Sequence, residues 1–266
     1  TEAVLRGMYY SGRLERRFGL RFTQAVAMEN QSFPLGLASL WAGAGAKFSW
    51  RGVCGCASKL RNASLADREH EIYWCTGLDG QRLLMKWHSF VPGGSKQSGG
   101  YAEAFDPVKA ISFLTTNSKF LSRYRAPGAA EPYSVRAAFG FGWDALDRKT
   151  GVPYAADPKT YPSVDHFHVI AQAETTADRQ VIVSNQEDFF RDFEKHHGTQ
   201  LPTESLTYGN EWDLYSASMA ETSARIRRSV EQLRTAEALA TIAALHDPAA
   251  FRDYAPARNQ AFMDLG

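Results

Sequence analysis

Only three cysteines occur in the 266 residues, an odd count and too few for a disulfide-built scaffold. No apolar run approaches the roughly 20 residues that a membrane-spanning helix needs. Neither sign of charge dominates: 30 Lys plus Arg stand against 29 Asp plus Glu, a formal net charge of +1 with His neutral. With no basic excess there is no general field to draw in nucleic acid or an anionic lipid surface, and neither is expected as a partner. No internal repeat or low-complexity tract breaks the chain. Hydrophobic residues make up 44% and charged residues 22%, which excludes a disordered tail, a collagen or a coiled coil. What remains is a globular chain with enough length for one large domain or two small ones.

Aromatics reach 12%. Trp74, Trp87, Trp143 and Trp212 all have polar neighbours in sequence, and exposed aromatic platforms beside carboxylates suit sugars. Packing in a core is the ordinary alternative for such rings.

Thr1 opens directly into helical spacing at Val4, Leu5, Met8 and Tyr9, with neither an initiator Met nor a signal segment, so further sequence is expected upstream. The spacing predicts a helix over 2–18 closed by Gly19, then a strand over 22–28. A helix over 35–44 follows, stopped by Gly45, and then a strand over 46–50, which together make the βαβ rhythm of a parallel sheet. Asp79-Gly80 between Glu71–Cys75 and Arg82–Phe90 predicts a hairpin. Pro92 to Gly100 reads as a loop, and 107–124 as helix. Strands are expected at 134–141 and 180–184, and helices at 163–173, 186–197 and 216–245.

The acids fall where apolar runs end. Glu29, followed by Asn30, closes the first strand, and Asp144 follows Gly142-Trp143 after the 134–141 run. Glu211 and Asp213 flank Trp212 ahead of the last long helix. Strand ends converge on one face of a parallel α/β sheet or barrel, and that face carries the chemistry. Two carboxylates gathered there suit a glycosidic bond, one as nucleophile and one as general acid/base. Helix capping is the alternative use of such acids.

These residues resemble glycoside hydrolase family 38, the α-mannosidases. The resemblance runs through Phe18-Gly19, Val26-Ala27-Met28-Glu29, Ala38-Ser39-Leu40 and the hairpin from Ile72-Tyr73-Trp74 to Leu83-Leu84. Gly142-Trp143-Asp144 and the stretch from Arg227 to Glu237 continue it. It spans most of the chain as scattered similarity. It implies a partial seven-stranded β/α barrel over 1–210, lacking its N-terminal strand. The last barrel loop and the start of a helical bundle would follow over 211–266. It also implies a retaining mechanism on an α-mannosidic or related bond. Glu29 would be the nucleophile, Asp144 the acid/base, and Asn30, Trp143, Trp212 and Asp213 the sugar contacts. Glu29 stands where the family has Asp. The family binds zinc, but its closing-helix His falls at Thr222 here, and the His-x-Asp pair of its first strand would lie upstream.

Other features point to less. Cys54-Gly55-Cys56 lacks a second pair, and small loop residues are the plainer reading. His166-Phe167-His168 ligates a metal only from a strand, and a helix is expected there. His196-His197 suits the end of a helix dipole. Two rivals to the hydrolase stand: a catalytically inactive barrel that binds glycans, and a metal-dependent barrel of the polysaccharide-deacetylase kind.

Overall fold

The computed structural model describes residues 2–27, 32–51, 69–87, 107–139, 164–207 and 219–265. Candidate residues Glu29, Asn30, Trp143, Asp144, Trp212 and Asp213 lie outside them, as do Cys54, Cys56 and the 92–100 loop. The chain divides into two units: Gly19–Trp212, and Thr1–Phe18 with Asp213–Gly266.

The first unit is organised by a small mixed sheet. Phe48–Arg51 (β1), Ile72–Thr76 (β2), Arg82–Trp87 (β3) and Thr203–Glu204 (β4) lie in the order β1-β3-β2-β4. The Asp79-Gly80 turn does what its sequence dictates: Gly80 takes φ 79°, and β2 and β3 pair antiparallel with Tyr73 opposite Met85. β1 runs parallel to β3, with Arg51 opposite Trp87. Of the strand expected over 22–28, the described residues 22–27 form no full strand; among the described residues they lie parallel beside β1 through one bridge, Gln24 to Phe48, with the Ala25 N–H donating to the Phe48 carbonyl at 3.1 Å.

Leu37–Gly43 (α1) lies in sequence between this stretch and β1, and Gly45 at φ 98° follows it. Pro107–Thr116 (α2) and Ser118–Leu121 (α3) divide the helix expected over 107–124. They part at Asn117, whose side chain leaves the helical path to accept the Phe120 N–H at 2.9 Å. Val164–Glu174 (α4) and Gln186–His197 (α5) follow, the latter capped by Asn185, which accepts the Asp188 N–H at 2.9 Å.

Both faces of the sheet are covered. On one, Tyr73, Cys75, Leu83, Met85 and Trp87 pack with Phe33, Leu37 and Ala38. On the other, Phe48, Ile72, Trp74 and Leu84 meet a ring cluster from Tyr124, Tyr133, Phe139, Phe190 and Phe193. Strand alternation places these sets on opposite sides. Burying both sides of a sheet this small is what makes its strands nearly continuous in apolar residues.

A seven-stranded β/α barrel is not what these residues build. The described residues form a four-stranded mixed sheet and eight helices. Two expected strands are missing from the sheet among the described residues. Residues 134–139, the described part of the strand expected over 134–141, have no ladder partner among the described residues and serve as a packing segment, with Phe139 set edge-on to Phe189 and Phe190. Residues 180–184 form no strand, and Ile182 is 68% exposed. β2 and β4 also run against β1 and β3, whereas a barrel of this kind needs its strands parallel.

Among the described residues the second unit holds three helices: Glu2–Phe18, Ala220–Ala244 and Pro248–Leu265 (α6, α7 and α8 here). Gly19 at φ 66° follows the first, as its sequence predicts. Glu237 is the hub of this unit. It accepts from Arg6 Nη1 at 2.7 Å and lies 3.8 Å from Arg258 Nη1, joining all three helices. No described helix is long and apolar enough to cross a membrane.

Candidate functional site

The sheet's carboxyl edge, where β1 and β3 end, collects charge in the interior. Arg51 closes β1 at 1% exposed, Lys86 lies next to last in β3 at 2%, and Glu71 precedes β2 at 0%. Because β2 runs opposite to β3, its start lies at the same edge, and the Trp87 N–H donates to the Glu71 carbonyl at 3.0 Å. Buried ionised groups are expensive and are kept only with well-placed partners.

Arg51 and Lys86 emerge on opposite faces. Arg51 Nη1 donates to the Ala27 carbonyl at 3.0 Å, fixing the end of the stretch beside β1. Lys86 Nζ donates to the Trp87 carbonyl at 2.7 Å and sits 4.5 Å from the centre of the Phe139 ring. A desolvated ammonium over a ring face is a favourable cation–π contact. Trp50 stands edge-on to the same ring at 6.4 Å, its indole N–H donating to Gln186 Oε1 at 2.5 Å. Ala27 and Phe139 are thus both anchored at this edge. Each is the last described residue of its segment, and Glu29 and Asp144 follow them by two and five positions.

No protein-family model and no curated protein matches the chain.

A second polar pair joins the approach to β2 with β4. His70 Nδ1 and Glu204 Oε1 lie 2.5 Å apart. Burial raises the Glu204 carboxyl above its ordinary range, while the hydrogen bond and charge of His70 pull the other way. Nearby Cys75 is fully buried. Burial, with the Glu204 charge adding to it, pushes its thiol up to about 12 and makes it a core residue, not a nucleophile. An open groove of about 460 Å³ is lined by His168, Gln172, Thr175 and Gln180 among others, and it takes in none of the charged groups at the sheet edge.

Several expectations are settled here by position. Trp74 and Trp87 are core residues at 7% and 1% exposed, so neither is a sugar platform. Trp74 instead donates its indole N–H to the Gly198 carbonyl at 2.8 Å. His166 to His168 lie on helix α4, where residues two apart do not share a face. His197, at the end of α5, accepts the Ser134 N–H at 3.3 Å. Among the described residues no group of three or more His, Cys, Asp and Glu is placed to hold a metal ion. Thr222, at the position the resemblance gives to a zinc-binding His, is exposed in the first turn of α7. A hydroxyl there does not replace imidazole. At this position the described residues offer no imidazole for the family's zinc.

Arg51, Glu71 and Lys86 were not singled out from the sequence. The signal for Lys86 is there, a lone ammonium inside the apolar run Leu83-Leu84-Met85-Lys86-Trp87. Arg51 ends a run in the same way, after Phe48-Ser49-Trp50.

Proposed function

We propose that the protein is a glycoside hydrolase of the retaining type, with Glu29 as nucleophile and Asp144 as general acid/base. The observation that carries the reading is the shared anchorage of Ala27 and Phe139 at the carboxyl edge of β1 and β3. An extended chain advances about 3.3–3.6 Å per residue, which keeps the Cα of Glu29 within about 7 Å of Ala27 and that of Asp144 within about 18 Å of Phe139. These bounds are compatible with the roughly 5–5.5 Å between carboxyl groups that retention requires.

In the first step the Glu29 carboxylate attacks the anomeric carbon and forms a glycosyl ester. The glycosidic C–O bond breaks as Asp144 gives its proton to the leaving oxygen. In the second, Asp144 takes a proton from water, the hydroxide oxygen bonds to the anomeric carbon, and Glu29 leaves as carboxylate. Asn30 is placed by sequence to hold a sugar hydroxyl, and Trp143, Trp212 and Asp213 to contact the ring. The resemblance to family 38 makes α-mannosides the first substrates to try. It is carried by residues alone, since the barrel of that family is not found.

The test is a panel of aryl glycosides, α-mannoside first, with and without chelator. Hydrolysis with the anomeric configuration retained by NMR supports the reading. Glycan binding by calorimetry with no turnover points to the inactive binder. Release of acetate from acetylated sugars, lost with chelator, points to the deacetylase-like rival.

A further inference from the structure

Ser134 and His197 form a hydroxyl–imidazole pair to which the two-carboxylate mechanism gives no task. Ser134 Oγ lies 3.0 Å from His197 Nε2, and the Ser134 N–H donates to the same nitrogen at 3.3 Å. A backbone N–H can only donate, so Nε2 is the unprotonated nitrogen and the ring hydrogen sits on buried Nδ1. The hydroxyl therefore donates to Nε2 as well. Ser134 itself is exposed.

Both partners are held in place. Tyr124 fixes the chain on either side of Ser134: the Tyr133 N–H donates to the Tyr124 carbonyl at 2.9 Å, and the Tyr124 hydroxyl donates to the Val135 carbonyl at 3.0 Å. The His197 ring, at the last position of α5, has its centre 5.0 Å from that of Tyr133 and 5.1 Å from that of Phe193. An acid orients the imidazole in a serine triad. Here two packed rings hold it. Burial lowers His197 below its ordinary 6.5, with His196 adding to that and Gln200 and Asp192 opposing it. The ring is then neutral at pH 7, which is the form that takes a proton. Tyr133, pushed up to about 12 by burial, keeps its own proton and adds no charge.

We propose that Ser134 and His197 are the nucleophile and general base of an acyl-transfer site for carboxylic esters with a short acyl group, acetyl esters first. An exposed hydroxyl reaches such a group without an enclosing slot. Ser134 Oγ bonds to the acyl carbon as its proton passes to Nε2. The ester C–O bond breaks, and the departing oxygen takes that proton. Water then gives a proton to Nε2 as its oxygen bonds to the acyl carbon, and Ser134 leaves and recovers the proton. Neither proposed carboxylate takes part, so this activity stands or falls apart from glycoside hydrolysis.

The test treats the full chain with an alkyl fluorophosphonate, which bonds to an activated serine and loses fluoride, and locates the adduct by peptide mass spectrometry. Hydrolysis of p-nitrophenyl acetate is followed beside it. Ser134 is expected to be labelled, at a rate that falls as pH drops below 6.5 and His197 takes up a proton. Ser134→Ala abolishes the adduct and the ester hydrolysis, and His197→Gln slows labelling roughly 100-fold or more. No adduct at Ser134 in the folded wild type overturns the proposal without any variant, which covers the case of His197→Gln failing to fold. A folded His197→Gln labelled at the wild-type rate overturns it too, and leaves the pair a structural tie. So does ester hydrolysis that persists in Ser134→Ala.

Discussion

Gly77 packs directly onto the backbone of Ser39: a Cβ at Gly77 falls 2.5 Å from the Ser39 nitrogen and 2.9 Å from its Cα. Such approaches do not occur between real side chains and backbone, so helix α1 and the β2–β3 turn meet here only because residue 77 has no side chain. The Ser39 hydroxyl then donates to Asp79 Oδ1 at 2.7 Å and locks the same turn. Gly77→Ala is expected to destabilise by about 1–3 kcal/mol through overpacking. Trimming Ser39→Ala in the same chain does not rescue it, because the clash is with backbone. Urea denaturation of the two single variants and the double variant checks both statements.

The ring cluster on the other face of the sheet makes a second prediction. Phe190 is fully buried, stacked on Phe48 at 5.1 Å between centroids and edge-on to Phe139 at 5.5 Å. Phe190→Ala removes a ring that three elements share and is expected to cost about 3–5 kcal/mol. Phe190→Leu, which keeps most of the volume, costs less. Chemical denaturation reads both, and equal losses would contradict a packing role.

How much of this was legible in the sequence depends on how local each signal is. Gly19, Gly45 and Gly80 mark positive-φ stops, and Asn185 caps a helix within three residues. Those elements therefore appear close to where the pattern puts them. Residues 134–139 show the limit. Val135, Ala137 and Phe139 alternate as a strand would, yet a strand exists only with a neighbour to bond, and that partner is a property of the whole chain. The alternating residues pack on the ring cluster instead. Val181-Ile182-Val183 misleads for the same reason: three β-branched residues with no ladder among the described residues. A barrel inferred by adding such runs counts strands that do not pair among those residues. Of the candidate site, the sequence marks acids at the ends of apolar runs. It does not mark Arg51, because the partner that gives Arg51 meaning, the Ala27 carbonyl, lies 24 residues away.

Cys75 offers a probe of the core. Burial, with the Glu204 charge adding to it, pushes its thiol to about 12 against an ordinary 9.0. The reactive thiolate is therefore scarce at neutral pH in the folded state. Iodoacetamide is expected to leave the Cys75 peptide unmodified in buffer and to modify it rapidly in denaturing urea, followed by mass spectrometry. Rapid native labelling would place Cys75 outside the core. The sign of the linkage follows: the folded state keeps a proton that the unfolded chain loses, so this contribution to stability is full below about pH 9 and falls above it.

His197 gives the opposite slope. Burial lowers it below its ordinary 6.5, so the folded state binds fewer protons than the unfolded chain just below that pH. The neutral ring is also the form that accepts the Ser134 N–H. Asp192 favours the charged form and His196 disfavours it. The stability tied to His197 is present above pH 6.5 and is lost as pH falls through the window beneath. Urea midpoints from about pH 8 down to 5 should fall more steeply for the wild type than for His197→Gln. Parallel curves would remove His197 from the acid sensitivity of the fold.

The two proposed carboxylates are separable by leaving group. A general acid matters in proportion to how badly the departing oxygen needs a proton, and its loss costs roughly 100- to 10,000-fold on a poor leaving group. Asp144→Asn is therefore expected to lose that much on an alkyl glycoside, far less on a dinitrophenyl glycoside, and to lose the basic limb of its pH profile. Glu29→Gln removes the atom that bonds to the anomeric carbon and should be inactive on both substrates. Thermal melts of both variants, expected within a few degrees of the wild type, separate lost chemistry from lost fold. An Asp144→Asn enzyme that hydrolyses the alkyl substrate at the wild-type rate would take the acid/base role from Asp144, and a Glu29→Gln enzyme active on either substrate would do the same for the nucleophile.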